Sequence, residues 1–208
     1  ANFIVFCINI HLFIIFLKKS YMKKNIAVFS SGRGGNFDNI CKYFKNHGSI
    51  KIKLLITNNL DSFSTKIAEK HKIKTFFANK RMLRSAQMIE VLKNENIQLL
   101  VLAGFILKIP KNILCSFPNK IINLHPSLLP SYGGKGMYGD NVHKAVLKAN
   151  EKITGITIHF VDEIYDNGEI IAQKKCNIDS TESLSSLREK ICALEYSLFP
   201  KTIEKVLS

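Results

Sequence analysis

An asparagine and a histidine stand two residues apart at the end of an apolar stretch, in the segment INLHPSLLPSYGGKGMYGD (122–140). The spacing of Asn123 and His125 places both side chains on the same side of a β-strand. A neutral amide donor beside a titratable imidazole suits a reaction that builds negative charge on a carbonyl oxygen and moves a proton. A histidine at a strand end can equally be structural, and the spacing leaves both interpretations open.

Carboxylates that could act with this imidazole occur in the later turn DEIYDNG (162–168). A carboxylate near an imidazole raises the pKa of the imidazole and stabilises the imidazolium. Asp166 is our candidate for this role, and Asp162 and Glu163 compete with it. The alternative for all three is a solvated turn acid, because linear spacing does not show which carboxylate meets His125. We interpret His159 as a packed strand residue.

The glycine-rich segment SSGRGGN (30–36) falls between the first predicted strand and the first predicted helix. Glycines let the backbone pass close to a ligand, and the N-terminus of a helix offers unpaired N–H groups to an anion. We therefore predict a phosphate as the ligand. Phe37 occupies the third glycine position of a dinucleotide fingerprint, which argues against a dinucleotide site. A tight turn without a ligand remains the alternative.

The five cysteines are odd in number and irregularly spaced, with no Cys-x-x-Cys and no Cys/His pair at zinc spacing. We predict reduced thiols in a cytosolic protein and no metal site. The sequence has no Gly-x-Ser-x-Gly elbow and no obvious setting for a cysteine nucleophile, so nothing supports covalent catalysis. His143 is interpreted as a residue of a surface helix.

At 208 residues the chain has the size of one domain with one sizeable core. Its formal net charge of +14 would suit a nucleic-acid or an acidic membrane partner. Only four residues are arginines, and the lysines are scattered without an Arg-aromatic stripe. We therefore predict a solvated basic surface and no nucleic-acid partner.

Within residues 1–21, Phe3 to Leu17 form an apolar run that only Asn9 and His11 interrupt. The run is short for a membrane span and lacks the features of a signal peptide. Met22 and the residues after it read as a natural start of an α/β protein. We predict that residues 1–21 are a non-native or translated upstream extension and that 22–208 are the functional domain. The alternative is a membrane anchor, and without one we expect no membrane partner.

Short apolar strands alternate with helical stretches from Lys24 onward. Strands are predicted over 25–30, 50–57, 74–77, 99–103 and 120–124. Helices are predicted over 36–46, 64–71, 82–94 and 142–150. Two later strands, 153–161 and 169–178, resemble an antiparallel pair, and a closing helix over 183–207 has a possible break at Pro200. The pattern predicts the α/β class, with a mostly parallel sheet, helices on both faces and an antiparallel C-terminal strand pair.

Five ordered motifs resemble those of the phosphoribosylglycinamide formyltransferases. They are AVFSSGRGGN, LVLAGFILKIP, IINLHPSLLPSYGGKGMYG, GITIHFVDEIYDNG and ALEYSLFP, and they spread over nearly all of the chain from Lys24 to Leu207. The resemblance implies a single Rossmann-like formyltransferase domain.

The resemblance also implies a role for each motif. The implied catalytic residues are Asn123, His125 and Asp166. The implied contacts to glycinamide ribonucleotide are Gly34, Gly35 and Asn36 at the phosphate, and Glu195. The implied folate contacts are Arg81, Ile106, Leu107, Lys108, Ile109, Asn123, Asp162, Glu163, Ile164, Tyr165 and Asp166.

The implied reaction is a direct transfer that belongs to de novo purine biosynthesis in the cytoplasm. The amine of glycinamide ribonucleotide attacks the formyl carbon of the co-substrate 10-formyltetrahydrofolate and forms a tetrahedral oxyanion. Asn123 and protonated His125 would stabilise that charge, and Asp166 would support the imidazolium and a proton relay through water. Neither a metal nor a covalent intermediate is required, and the enzyme would be a monomer or a homodimer.

Two departures from the family pattern stand out. The segment GGKGMYG (133–139) replaces a Pro-Gly-Leu-His-type stretch, which leaves the contacts of this loop open; we expect residues 131–140 to cover the substrates. Asn167 stands where some members have a glycine, and asparagine tolerates left-handed backbone angles.

Three other functions compete with this one. A methionyl-tRNA formyltransferase shares the Asn-x-His-Pro-Ser-Leu-Leu-Pro signature, but usually has an Arg-Gly after it and an added C-terminal domain. A formyltetrahydrofolate hydrolase would carry an N-terminal regulatory domain. A non-catalytic phosphate- or nucleotide-binding module would use the glycine-rich segment alone, with His125 as a structural residue.

Overall fold

The computed structural model describes residues 23–208, and the predicted extension at 1–21 lies outside them. The strands are β1 (Lys24–Phe29), β2 (Ile50–Thr57), β3 (Lys74–Phe77), β4 (Ile97–Leu102), β5 (Ile121–His125), β6 (Ile153–Phe160) and β7 (Ile170–Asn177). The helices are α1 (Gly35–Phe44), α2 (Phe63–Lys70), α3 (Lys80–Leu83), α4 (Ala86–Asn94), α5 (Lys111–Ser116), α6 (Asp140–Lys148) and α7 (Leu184–Leu207). None of these helices is long and apolar enough to cross a membrane.

The strands form one sheet in the order β3-β2-β1-β4-β5-β6-β7. Strands β1 to β5 pair in parallel, whereas β6 pairs antiparallel with both β5 and β7. The predicted fold class is therefore confirmed. The direction of winding reverses between β1 and β4, and such a switch point leaves a crevice at the carboxyl ends of the strands.

The strands bury side chains on both faces of the sheet. In β1, Ile26 and Val28 point into one core and Ala27 and Phe29 into the other, and all four are fully buried. Helices α1, α2, α6 and α7 contribute to the first core, and α3, α4 and α5 contribute to the second. Burial on both faces explains why these strands read as continuous apolar runs in the sequence.

The single helix predicted over 82–94 is wrong, because the structure has two helices there, α3 and α4. Each begins at its own N-cap: the side chain of Asn79 accepts from the Met82 amide at 2.9 Å, and that of Ser85 accepts from the Met88 amide at 3.3 Å. An N-cap residue has extended backbone angles, which interrupts the helix before it. Helix α5 was not predicted; it follows Pro110 and has only six residues.

Helix α7 continues through Pro200 without the predicted break. Proline has no N–H, so it leaves the carbonyl four residues earlier without its helical partner. That carbonyl belongs to Tyr196, and it accepts a hydrogen bond of 3.0 Å from the side-chain amide of Asn39 on α1. The contact between α1 and α7 thus supplies the donor that the proline lacks. It also holds α7, which carries Glu195, against the glycine-rich segment.

Candidate active site

The carboxyl ends of β4 and β5 and the loop that follows β1 border a cavity of about 820 Å³. It lies beside the switch point of the sheet, where open α/β sheets bind ligands. The central cluster consists of Asn123, His125, His159 and Asp166. The polar end consists of Arg33, Asn36, Asp140, Arg188 and Glu195. The apolar wall consists of Phe105, Ile106, Leu107, Ile109, Ile164 and Tyr165.

The antiparallel strand β6 brings a second histidine to the Asn-x-His pair. Asn123 and His125 both reach the cavity from β5, and the register of the sheet sets His159 directly opposite Asn123. Nδ2 of Asn123 lies 3.1 Å from Nε2 of His159. His159 is buried, as predicted, but its place in the cluster was not predicted. The signal lies in the strand register, which a sequence does not show.

A backbone contact sets the tautomer of His159. Its Nδ1 lies 2.8 Å from the carbonyl oxygen of Phe160, which can only accept, so Nδ1 carries the proton. Nε2 of the neutral ring then carries a lone pair and accepts a hydrogen bond from the Asn123 side-chain amide. His159 therefore fixes the orientation of the Asn123 amide.

Asp166 reaches the cluster from the turn between β6 and β7. Its backbone has a φ of 54°, so Asp166 itself, rather than Asn167, adopts the left-handed conformation. Oδ2 accepts a hydrogen bond of 2.8 Å from the Gly134 amide and lies 3.5 Å from Nδ1 of His125. Of the three candidate turn acids, Asp166 is the one that meets the imidazole. Asp162 instead accepts from the Ile164 amide at 2.7 Å within its own turn.

The Asp166 carboxylate is ionised at neutral pH. Burial alone would raise its pKa, but the neighbouring His159 and His125 side chains and the Gly134 amide together hold the pKa below its ordinary value. Asp166 thus presents a fixed negative charge beside two imidazoles.

The ring of His125 is almost fully buried, and Nε2 lies 2.9 Å from the carbonyl oxygen of Tyr132. This carbonyl requires a proton on Nε2, so Nδ1 of the neutral ring is the lone pair that faces Asp166. Burial lowers the pKa of His125, and the opposing effect of Asp166 does not outweigh it. Asp166 thus has the expected sign of effect on this pKa, but burial outweighs it, and the resting imidazole is neutral at pH 7.

The polar end of the cavity is built where α1 meets α7. Gly34 is the N-cap of α1 with a φ of 70°, and a Cβ on Gly35 would come within 2.5 Å of the Tyr196 hydroxyl. The left-handed backbone at Gly34 therefore favours glycine, whereas a side chain at Gly35 would have to displace the Tyr196 hydroxyl. Nδ2 of Asn36 donates to Glu195 at 2.8 Å, and burial raises the pKa of Glu195 to about 7. Asn36 and Glu195 line the cavity, whereas Gly34 and Gly35 precede Asn36 in the chain and do not border the cavity.

Two arginines that the sequence analysis did not select also line the polar end. Arg188 holds Asp140 through two hydrogen bonds of 3.0 and 2.7 Å, which keep the pKa of Asp140 below its ordinary value. Arg33 precedes Gly34 and lines the same end. His143 lies on α6, the helix predicted over 142–150, but its side chain is buried and borders the cavity.

The predicted folate contacts divide between the cavity and its surroundings. Residues 106–109 and the turn residues Asp162, Ile164, Tyr165 and Asp166 line the cavity. Ile106 and Ile164 are 57% and 63% exposed, so this wall offers uncovered apolar surface to a flat ligand. Arg81 and Glu163 are exposed and do not border the cavity.

Among residues 23–208, no group of three His, Cys, Asp or Glu side chains is placed to hold a metal ion. The four cysteines in this part of the chain are free thiols. The cavity thus offers acid–base groups, hydrogen-bond donors and acceptors, and apolar surface.

The chain matches known formyltransferases in sequence. The sequence model of the family described as formyl transferase matches residues 24–203. A phosphoribosylglycinamide formyltransferase of Bacillus subtilis is 35% identical over 88% of this chain and 95% of its own length. The chloroplastic enzyme of that name from Arabidopsis thaliana is 34% identical over 87% of this chain. The chain spans 64% of the length of this plant relative.

Solved structures show the same fold. A phosphoribosylglycinamide formyltransferase from Bacillus halodurans matches with a TM-score of 0.81 at 33% identity, covering 89% of this chain and 96% of that one. The corresponding protein of Anaplasma phagocytophilum matches with a TM-score of 0.79 at 33% identity, covering 87% and 85%.

Proposed function

The chain belongs to the formyl transferase family, and from this premise we propose that it transfers the formyl group of 10-formyltetrahydrofolate to the amine of 5-phosphoribosylglycinamide. The product would be formylglycinamide ribonucleotide, an intermediate of de novo purine biosynthesis. The observation that carries the proposal is the central cluster, in which Asn123, His125 and Asp166 meet in one cavity. The relatives from Bacillus subtilis and Arabidopsis thaliana are named for this activity.

The two ends of the cavity suit the two substrates. We assign the phosphate of the ribonucleotide to the start of α1, at Gly34, Gly35 and Asn36, because helix N–H groups there favour an anion. Glu195 lies next to Asn36, where it can hydrogen-bond to the rest of the ribonucleotide. The folate ring system would lie on the apolar wall between residues 106–109 and 162–166, which is rich in exposed aliphatic and aromatic surface. The formyl group then falls at the central cluster, between these two ends.

We assign the central proton transfer to Nδ1 of His125. The amine nitrogen attacks the formyl carbon, a C–N bond forms, and the formyl oxygen becomes an oxyanion. Nδ1 carries the free lone pair of the neutral ring, so it can accept the proton that the amine loses. The resulting imidazolium donates toward the oxyanion and is stabilised by the charge of Asp166. The bond to N10 of the folate then breaks, and the proton passes to that nitrogen.

Asn123 supports the same step. Its Nδ2 hydrogens lie toward His159 at 3.1 Å and Asp166 at 3.5 Å, and the second distance is too long for a strong hydrogen bond. That N–H is therefore available to a developing oxyanion beside Asp166. The His159 contact keeps the amide in this orientation.

Activity with two acceptors, and without an acceptor, tests the proposed function. Release of tetrahydrofolate is measured with glycinamide ribonucleotide, with initiator methionyl-tRNA, and with no acceptor. Turnover with the ribonucleotide alone is expected. Turnover with the tRNA alone would make the protein a methionyl-tRNA formyltransferase, and loss of formate without an acceptor would make it a hydrolase. Tight nucleotide binding without turnover would indicate that the protein is a non-catalytic binding module.

We also propose that the enzyme works in the cytoplasm, as a monomer or a homodimer and without nucleic acid. Free thiols at Cys41, Cys115, Cys176 and Cys192 suit a reducing compartment. Light scattering on the purified protein, with and without substrates, measures the oligomeric state.

A further inference from the structure

His143 is a buried imidazole on the wall of the cavity that the proposed reaction does not use. It lies on α6 and is only 5% exposed. It borders the cavity together with Asp140 and Arg188, yet neither of its ring nitrogens has a hydrogen-bond partner among residues 23–208. A buried polar group without a partner is costly, and a ligand that bonds to this ring would remove the cost.

The nitrogens of His143 face the cavity rather than the core. Within the described part of the chain, the side-chain polar atoms that are closed to solvent and lack a partner are Oδ1 of Asn36 and Oγ of Ser62. The His143 nitrogens lack a partner without being closed to solvent, so they belong to the accessible part of the ring. Because the ring borders the cavity, that part opens into it.

Helix α6 holds this ring in place. Val142 and Val146 of the same helix are buried in the first core. Asp140, three residues before His143, is fixed by the two hydrogen bonds that Arg188 donates from α7. The helix is thus anchored both on the core and to α7, which lowers the entropy cost of a contact between His143 and a ligand.

A neutral His143 offers one donor and one acceptor. Burial lowers its pKa, Asp140 opposes that effect, and Arg188 and His125 add to it. One ring nitrogen of the neutral form carries a proton and the other carries a lone pair. This combination suits an uncharged group that both donates and accepts, such as a hydroxyl or a carboxamide. A phosphate would use only the donor.

The surroundings of His143 place it between the two ends of the bound ribonucleotide. Asp140 and Arg188 belong to the polar end of the cavity, to which the phosphate is assigned. His125, to which the amine is assigned, is close enough for its charge to lower the pKa of His143. The groups of the ribonucleotide between its amine and its phosphate are the carboxamide and the ribose, and both are uncharged.

We propose that His143 binds the uncharged middle of glycinamide ribonucleotide by a hydrogen bond to its carboxamide or to a ribose hydroxyl. The inference rests on the proposed function, because it requires the ribonucleotide in the cavity. Asp140 and Arg188 contribute as positioning residues that hold α6.

Calorimetric binding of the ribonucleotide to His143→Leu and His143→Gln tests the proposal. Leucine fills a similar volume without polar atoms, and we expect it to weaken binding about five- to twentyfold, as one lost hydrogen bond would give. Glutamine keeps a donor and an acceptor, so it should bind at least about threefold more tightly than leucine. Unchanged binding in a folded His143→Leu protein would overturn the contact. Equal affinities of the two variants would show that His143 acts only through its shape and would overturn it as well.

Two controls separate a contact from a general distortion. His47→Leu makes the same replacement at a histidine that pairs with Glu204 away from the cavity, and its affinity for the ribonucleotide should equal that of the wild-type protein. The affinity of His143→Leu for 5,8-dideazafolate should stay within about twofold of the wild-type value, because the folate lies on the apolar wall. Equal losses for the ribonucleotide and the folate analogue would trace to distortion and overturn the contact.

A truncated ligand identifies the group that His143 contacts. Methyl β-ribofuranoside 5-phosphate keeps the ribose and the phosphate but lacks the glycinamide group. If His143→Leu weakens its binding as much as that of the ribonucleotide, the contact is to the ribose. A loss confined to the ribonucleotide assigns the contact to the carboxamide.

Formyl transfer in the wild-type protein is measured separately. A protein that binds the ribonucleotide through His143 but transfers no formyl group would refute the proposed function alone. Full transfer with unchanged binding in His143→Leu would refute the contact alone. A wild-type protein that does not bind the ribonucleotide would refute both.

Discussion

Nδ1 of His125 and Oδ2 of Asp166 lie 3.5 Å apart across the cavity. This distance exceeds that of an ordinary N–H···O hydrogen bond, as expected for a carboxylate oxygen that faces the lone pair of a neutral ring. The neutral histidine keeps a lone pair on Nδ1, and the ionised carboxylate of Asp166 lies beside it. The pair is therefore arranged to receive a proton during the reaction and then to stabilise the resulting imidazolium.

Replacing His125 by alanine removes the proposed proton acceptor. We expect kcat to fall by about 10²- to 10⁴-fold, which is the usual contribution of a positioned acid–base group. Steady-state kinetics with glycinamide ribonucleotide measure the loss, and a urea unfolding curve shows whether the variant is folded. His47→Ala is the matched control, because His47 pairs with Glu204 away from the cavity. Near-native turnover in a folded His125→Ala protein would refute the role.

The acidic limb of the pH profile should respond to Asp166. Burial lowers the pKa of His125 and Asp166 opposes that effect, so Asp166→Asn should lower the pKa further. Because the neutral histidine is the reactive form, the acidic limb of kcat/KM should move to lower pH in the variant. The maximal rate should fall as well, since the imidazolium loses its partner. A limb that moves to higher pH would contradict the assignment of His125 as base.

The sequence predicted those parts of the site that depend on local pattern. Apolar strands and a glycine-rich turn predicted the sheet and the start of α1, and the i, i+2 spacing placed Asn123 and His125 on one side. His159 was missed as a site residue because its position depends on the antiparallel register of β5 and β6. The net lowering of the pKa of His125 could not be predicted from the sequence, because burial is a property of the whole fold.

Local hydrogen bonds explain the errors in the helices. The N-cap at Ser85 interrupts an apolar pattern that reads as one helix from the sequence. Pro200 reads as a break because the donor that replaces its N–H is Asn39, which comes from a distant helix. In both cases the deciding contact is a polar side chain that hydrophobic periodicity does not record.

The orientation of the Asn123 amide should depend on an acceptor at position 159. His159→Leu leaves the Asn123 N–H without its partner, and an unsatisfied buried donor costs about 1–3 kcal/mol. We expect kcat to fall about tenfold or more while KM for folate changes little. His159→Gln, whose side-chain oxygen can accept the same N–H, should recover part of the loss. Equal rates in the two variants would show that His159 only fills space.

Gly168 should be essential for the turn that carries Asp166. A Cβ at this position would collide with the backbone carbonyl of Phe160 at the end of β6. Gly168→Ala should therefore destabilise the protein by about 1–3 kcal/mol and lower kcat as the turn moves. Gly48→Ala is the control, because a Cβ there meets nothing within 4 Å. Urea unfolding of both variants measures the difference, and equal stabilities would contradict the collision.

The raised pKa of Glu195 should appear as a pH-dependent cost in stability. Burial raises this pKa from 4.5 to about 7, so the folded protein binds a proton more tightly than the unfolded chain. The stabilising effect of that proton is full below pH 4.5 and is lost as the pH rises through about 7. Glu195→Gln has no such titration and keeps an acceptor for Asn36.

Between pH 5 and pH 8, the wild-type protein should therefore lose stability relative to Glu195→Gln, by about 1–3 kcal/mol. Urea unfolding of both proteins at the two pH values measures this change, and groups that titrate equally in both cancel in the difference. A difference that stays constant with pH would mean that Glu195 ionises at its ordinary pKa. The carboxylate would then be charged in the empty site, and the desolvation at the junction of α1 and α7 would be much weaker than the fold implies.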